Sequence, residues 1–295
     1  MIDVFLANAL IKATPLNAHI IIIGDQDQLP SVGPGSFLKD CIASEKFATI
    51  HLTEIFRQAQ DSLIVVNAHR VNNGEFPTPF LPHAKKDFIY IKEDNPEHIV
   101  SHLKKLLFIE IRKHGLTPHQ TQILVPMNRG AVGTHALNHH LQEMLNPGDK
   151  PSFNRMGTAY KEGDRVMQIR NNYDKNVFNG DLGVIESIDR EEQQLVVNFS
   201  EHMIEYELSE LDELVLAYAT TIHKSQGSEY PAVIIPIFMQ HFTLLQRNLI
   251  YTAITRAKKL CIIVGEPRAL AMAIKNNKIV QRVTFLSDFL KEVMA

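Results

Sequence analysis

A chain of 295 residues, 45% of them hydrophobic and 21% charged, is long enough for two domains and has the balance of a globular protein with a sizeable core. Its 30 Lys and Arg against 33 Asp and Glu leave a formal charge of −3, which excludes a global basic field; any contact with nucleic acid falls to a local groove. Cys41 and Cys261 have no spacing that suggests a disulfide framework or a zinc site, no apolar run reaches membrane-spanning length, and the start lacks a basic-then-apolar leader, so a cytoplasmic protein is expected.

In chain order, the first element is the run Ile20–Ile23, which ends at Gly24-Asp25. A β-branched run apolar on both faces predicts a central parallel strand covered by helices on each side. Asp61 to Asn73 predicts a helix closed by Gly74 and Pro77. Asp87 to Lys92 predicts a short strand, and Asn95 a cap for a long amphipathic helix from Pro96 to Gly115. Gln122 to Pro126 is a further strand, followed by a helix from about Gly133 to Leu145 that Asn146-Pro147 stops. Strands alternating with helices imply an α/β layer.

From about Arg155 the pattern changes. Arg165–Arg170, Gly183–Ile188, Gln194–Phe199 and Met203–Leu208 read as short strands, with turn chemistry at Asn179-Gly180 and Arg190-Glu191-Glu192. Several such strands within an α/β context predict a small inserted β-barrel. The α/β pattern then returns with strands over Val215–Thr220, Ala232–Ile237 and Leu260–Gly265, and with a helix over Leu244–Ala257 capped by Thr243.

Four polar clusters sit at the edges of these apolar runs. Gly24-Asp25-Gln26-Asp27-Gln28-Leu29-Pro30-Ser31 comes directly after the isoleucine run, where α/β sheets place ligand loops; the bland alternative is a Gly/Pro-rich connection with incidental polar residues. Leu52-Thr53-Glu54-Ile55-Phe56-Arg57-Gln58 carries a guanidinium suited to gripping two phosphate oxygens, or else a surface arginine paired with Glu54. Thr221-Ile222-His223-Lys224-Ser225-Gln226-Gly227-Ser228-Glu229 is denser in polar groups than a strand-to-helix turn needs. Tyr251-Thr252-Ala253-Ile254-Thr255-Arg256-Ala257-Lys258 ends a predicted helix in basic residues, of which Lys258 and Lys259 are accounted for by the helix dipole better than Arg256 is. Pro126-Met127-Asn128-Arg129-Gly130 is a loop whose amide and guanidinium suit backbone phosphates, although a plain surface turn explains it nearly as well. His139 and Glu143 lie four apart on a helix without a third ligand, so no metal site is expected.

In this order the four clusters resemble the third to sixth signature motifs of RecD-like superfamily 1 ATP-dependent DNA helicases. The resemblance implies a RecA-like parallel-sheet motor domain with an inserted small Src-homology-3-like β-barrel, plus a remnant of a first RecA-like domain. The divisions are 1–60 for that remnant, 61–154 and 213–295 for the second motor domain, and 155–212 for the barrel. By resemblance Gln28 senses the terminal phosphate of ATP, Arg57 and Arg256 reach the transferring phosphoryl group, Gly227 lets the backbone approach phosphate, and Glu229 binds the ribose. Thr221, His223, Lys224, Asn128, Arg129 and Ser31 face single-stranded DNA, along which the family moves 5′-to-3′.

No Gly-x-x-x-x-Gly-Lys-Ser/Thr occurs in the 295 residues, and Met1-Ile2-Asp3 resembles the residues just after the family's second motif. ATP and Mg²⁺ are implied, but the Mg²⁺ ligands are not in the chain. The expectation is the C-terminal part of a helicase, inactive unless an N-terminal motor part is supplied, with residues 1–60 its least stable part; the alternative is a catalytically dead DNA-binding or regulatory fragment.

Overall fold

The computed structural model describes residues 2–52, 61–200, 202–277, 282 and 284–293. It begins with α1 (Val4–Ala13), whose cap Asp3 accepts from the Leu6 amide, and α2 (Phe37–Ser44). Next come α3 (Leu63–Asn72), capped by Ser62, and β1 (Phe88–Lys92). Asn95 accepts from the Glu97 amide and opens a turn that leads into α4 (Ile99–Lys105), which a π turn over Leu106–Glu110 prolongs. After these come β2 (Thr121–Val125) and α5 (Thr134–Leu145). The middle of the chain is β3 (Ser152–Arg155), β4 (Thr158–Lys161), β5 (Arg165–Gln168), β6 (Leu182–Asp189), β7 (Gln194–Phe199), β8 (His202–Glu207) and β9 (Leu214–Leu216). The last elements are β10 (Ala219–Thr221), β11 (Tyr230–Ile237), α6 (Arg247–Ile254), β12 (Ala257–Gly265), α7 (Pro267–Lys275) and α8 (Leu286–Val293).

Five strands form one parallel sheet in the order β1-β12-β11-β2-β10. Successive residues of a strand face opposite sides, and the core divides accordingly. Ile123, Ile234 and Ile262 pack with Ile99, Leu103, Leu137 and Leu141 of α4 and α5. Leu124, Val233, Ile235 and Ile263 pack with Leu63, Leu249, Ala253 and Leu270 of α3, α6 and α7. Helices thus cover both faces, which is why these strands read as unbroken apolar runs. A second, antiparallel sheet runs β8-β7-β6-β5-β9, with β3-β4 as a separate hairpin. Its Val166, Ile185, Leu195, Val197 and Tyr206 join the core on the α4–α5 face.

Three expectations need correction. Ile20–Ile23 forms no strand: the run pairs with no described residue, and Ile21 and Ile23 are 84% and 91% exposed. A strand is defined by hydrogen bonds to a neighbour, and an apolar composition alone does not supply one. The run expected as one strand over Val215–Thr220 divides between two sheets, since Leu216 pairs with Val166 of β5 while Ala219 pairs with Ile123 of β2. The helix expected over Leu244–Ala257 spans only Arg247–Ile254. Met239–Leu244 forms a 3₁₀ turn, Gln246 stands at the cap instead of Thr243, and the pairing of Ala257 with Tyr230 draws the chain into β12.

Candidate functional site

Two loops leave the same edge of the parallel sheet side by side, because Thr221 at the end of β10 is in register with Val125 at the end of β2. After Val125 the chain turns through Asn128 and Arg129, both exposed. The turn is held by amides of the first turn of α5, from Thr134 to the Met127 carbonyl (3.1 Å) and from His135 to the Asn128 carbonyl (3.1 Å). The Thr134 hydroxyl donates to Asn128 Oδ1 at 2.9 Å. Gly133 makes this turn possible, since a Cβ there would lie 2.4 Å from the Arg129 carbonyl oxygen.

After Thr221 the second loop is stiffened from within. Thr221 Oγ1 accepts from the Lys224 amide (3.2 Å), and the Ser225 hydroxyl donates to the Ile222 carbonyl (2.8 Å). Thr221 and Ser225 are buried, whereas His223 and Lys224 point to solvent. Gly227 has φ +84°, a conformation that favours glycine. The loop ends at Glu229, just before β11, so it runs from the carboxyl end of one parallel strand to the amino end of another. Its two halves therefore serve opposite edges of the sheet.

At the second edge lies Arg256, immediately before β12 and 6% exposed. Its guanidinium donates to the Thr252 carbonyl (3.2 Å), the Ser228 carbonyl (3.1 Å) and Gln28 Oε1 (2.8 Å). Burial pulls its pKa below the usual arginine range, against the opposing pull of Glu229. Glu229 pairs with Lys258 at 2.9 Å, and that contact holds its carboxyl below the ordinary carboxylate value.

The segment Asp25–Pro30 is pinned to this edge from several directions. The Leu29 amide donates to Thr252 Oγ1 (2.8 Å), and the Tyr251 hydroxyl donates to Asp25 Oδ2 (2.9 Å). Asp25 also accepts from Gln28 Nε2 (3.0 Å), which orients the amide so that its oxygen faces Arg256. Burial, with Asp25 adjacent, pushes the Tyr251 hydroxyl well above the tyrosine range, so it stays a donor. Gln226 reaches back from the polar loop to donate to the carbonyls of Leu29 (2.7 Å) and Pro30 (3.2 Å). A cavity of about 150 Å³ beside these groups is lined in part by Asp25, Gln28, Ser31, Lys39 and Asn248.

The structure therefore brings Gln28, Arg256, Gly227 and Glu229 around one edge and Asn128, Arg129, Thr221, His223 and Lys224 around the other. Ser31 lies apart from the Thr221–Lys224 group, on the Gln28 side: it is buried in the loop after Pro30, where it lines the cavity, its hydroxyl donating to the Gly33 carbonyl. Arg57 lies outside the described residues. Sequence reasoning missed Gln226 and Thr252 as cross-links and Asp25 as the residue that orients Gln28. An amide inside a dense polar run was the one available signal for Gln226. Among the described residues there is no group of three or more side chains able to hold a metal ion, and no helix long and apolar enough to cross a membrane.

Comparison with known proteins adds three family matches. A family model described as the ATP-dependent RecD-like DNA helicase SH3 domain matches residues 137–199, one described as the UvrD-like helicase C-terminal domain matches 216–264, and one described as an AAA domain matches 1–94. The chain is 34% identical over 265 residues to the ATP-dependent RecD2 DNA helicase of Deinococcus radiodurans, covering 90% of this chain and 35% of that protein. It is 26% identical over 290 residues to the RecBCD enzyme subunit RecD of Mycolicibacterium smegmatis, covering 95% of this chain and 51% of that one. The chain thus spans between a third and a half of the length of these relatives. The crystal structure of a Bacteroides Pif1 helicase with ADP-AlF3 and ssDNA shares the fold, with a TM-score of 0.50 at 19% identity over 91% of this chain and 65% of that one.

Proposed function

The chain is a relative of the RecD-like superfamily 1 helicases, corresponding to their C-terminal part, and we propose that it serves ATP-driven 5′-to-3′ movement along single-stranded DNA. In this reading residues 1–60 belong to a first RecA-like motor domain, 61–154 and 213–295 to a second, and 155–212 to a Src-homology-3-like barrel inserted in the second. The observation that carries the reading is the 2.8 Å bond from Arg256 to Gln28, two polar groups 228 positions apart that meet in a half-buried cleft. A phosphate-sensing amide and a charge-stabilising guanidinium have to converge in this way to act on one phosphoryl group.

The donor set suits the terminal phosphate of ATP. Arg256 supplies a permanent cation already desolvated by burial, and Gln28 an amide that can turn from the guanidinium to a phosphate oxygen. Glu229, kept ionised by Lys258, is an acceptor for ribose hydroxyls, and Gly227 offers its backbone to phosphate. Arg57 takes the second arginine role by resemblance. Bound ATP supplies the phosphoryl transfer; the residues here bind it and stabilise its charge. Mg²⁺ finds no ligand set among the described residues. The reading places the phosphate-cradling loop in protein outside these 295 residues, whether joined to them or supplied in trans.

Single-stranded DNA is assigned to the other edge, where Thr221, His223, Lys224, Asn128 and Arg129 cluster; Ser31, which lies apart from them, is a further contact by resemblance alone. These are amide, hydroxyl and cationic groups suited to the backbone and not to base edges. Fluorescence anisotropy with a labelled oligonucleotide tests the assignment. The expected result is sequence-tolerant binding that weakens with salt, and a log–log salt slope that falls by about 0.7 in Lys224→Ala. Affinity that ignores both salt and the substitution would refute it.

A further inference from the structure

We propose that Arg282, together with Thr284 and α8, forms an intramolecular strap that fixes the loop Ser31–Gly35, with Arg282 the positioning residue for Ser31. The positioning role rests on the reading of Ser31 as a DNA contact; the strap itself does not.

The loop is shaped by its neighbours. The Val4 amide, at the start of α1, donates to the Pro34 carbonyl at 3.1 Å. A Cβ at Gly33 would lie 1.8 Å from Asp3 Oδ2, and one at Gly35, which has φ +85°, would lie 2.1 Å from Val4. Within the loop the Gly33 carbonyl accepts from the Ser31 hydroxyl at 3.2 Å, and it has room for a second donor, as does the Gly35 carbonyl. Arg282 supplies them. Its Nη1 donates to the Gly33 carbonyl, to the Gly35 carbonyl at 3.0 Å and, at 3.4 Å, to the Ser31 hydroxyl oxygen. One permanent cation thus gathers three oxygens from five consecutive residues, which no flexible surface loop retains unaided.

Two further contacts continue along the same segment. The Thr284 hydroxyl donates to Asp40 in α2, and α8 packs against α2. Upstream, the chain is held to the far side of the cleft. Asn276 donates to the Leu245 carbonyl (2.8 Å) and accepts from the Arg247 amide (3.0 Å), and Arg247 Nε donates to the Ile274 carbonyl (2.8 Å). Asn276 is thus bonded within the α6–α7 layer, and Arg282 to the loop that follows Gln28.

Hydrogen exchange on the full chain tests the strap. In Arg282→Ala the backbone amides of residues 33–40 are expected to exchange roughly tenfold faster while those of β11 and β12 are unchanged; Arg282→Lys, which keeps a cation but loses the fork, is expected to fall between. Unchanged exchange over 33–40 would overturn the strap. The positioning role is tested by single-strand affinity in a double-mutant cycle. Ser31→Ala is expected to cost affinity in the parent chain and little more in Arg282→Ala. Additive losses would overturn that role. A parent chain without single-strand affinity would overturn the DNA reading and the positioning role with it, leaving exchange to decide the strap alone.

Discussion

Tyr218 donates its hydroxyl to Asp164 Oδ1 at 2.8 Å, joining the short link between β9 and β10 to a fully buried carboxylate at the entry to β5. Asp164 also accepts from Gln142 and Asn146 of the α5 end and from the Lys161 amide, so one residue serves both sheets. Asp164→Ala leaves the buried Tyr218 hydroxyl unpaired and takes from Gln142 and Asn146 one of two bonds each, the others running to the Ala159 and Glu162 carbonyls. A loss of roughly 3–5 kcal/mol is expected, read as a lower urea midpoint by circular dichroism. A loss under about 1 kcal/mol, the scale of a surface pair, would mean that the network is not what joins the sheets.

Acid should weaken the fold through His241. The ring is fully buried, with Nδ1 accepting from the Phe238 amide (3.2 Å) and Nε2 facing the Val132 carbonyl (3.3 Å), and burial pulls its pKa from 6.5 to about 4. Above pH 6.5 the group is neutral folded or unfolded, and its contribution is complete. As pH falls toward 4 the unfolded chain takes up the proton first, and roughly 3 kcal/mol is lost. Unfolding free energies measured across this window should show a shallower slope in His241→Gln; identical slopes would count against the assignment.

Gly133→Ala should disturb the Asn128–Arg129 loop without touching either side chain. The new Cβ meets only backbone, at 2.4 and 2.5 Å, so the turn itself has to move. Roughly 1–3 kcal/mol of stability is expected to go, as in other overpacked sites, together with part of the affinity for an oligonucleotide. Parent-like affinity in a folded variant would separate this loop from DNA.

Gln226→Ala removes the amide that spans from the polar loop to the Leu29 and Pro30 carbonyls. The expected cost is about 1–2 kcal/mol, concentrated on the docking of Asp25–Pro30. Faster thermolysin cleavage within residues 20–30, mapped by mass spectrometry, is the readout. An unchanged rate would show that Thr252 and Arg256 hold the segment by themselves.

Much of the parallel sheet was legible because its strands are short apolar runs between turn residues, and burial on both faces leaves such runs no other stable arrangement. Ile20–Ile23 has the same composition, and no strand forms there because composition cannot provide a pairing partner. The division of Leu214–Thr221 between two sheets was hidden for a related reason: pairing partners, not side-chain pattern, decide which sheet a residue joins. Gln28, Arg256 and the loop after Thr221 stood out as polar clusters beside apolar runs. The particular roles of Asp25, Gln226 and Thr252 within those clusters did not, since they come from neighbours more than 190 positions away or from the orientation of a single amide. The strap was invisible for the same reason, as nothing around Arg282 marks it out locally.

β2 and β10 are neighbours in the parallel sheet, yet the whole antiparallel sheet intervenes between them in the chain. Bringing Ile123 and Ala219 into register across an unfolded connection of that length carries a heavy entropic cost, and it shrinks once the connection has condensed. That cost favours one order of assembly: β5 to β8 collapse on sequential hairpins first, and only then does the edge strand that leads into the polar loop find its place. The loop richest in polar groups is thus the last to be set on its sheet, and its correct seating reports that everything between has already folded.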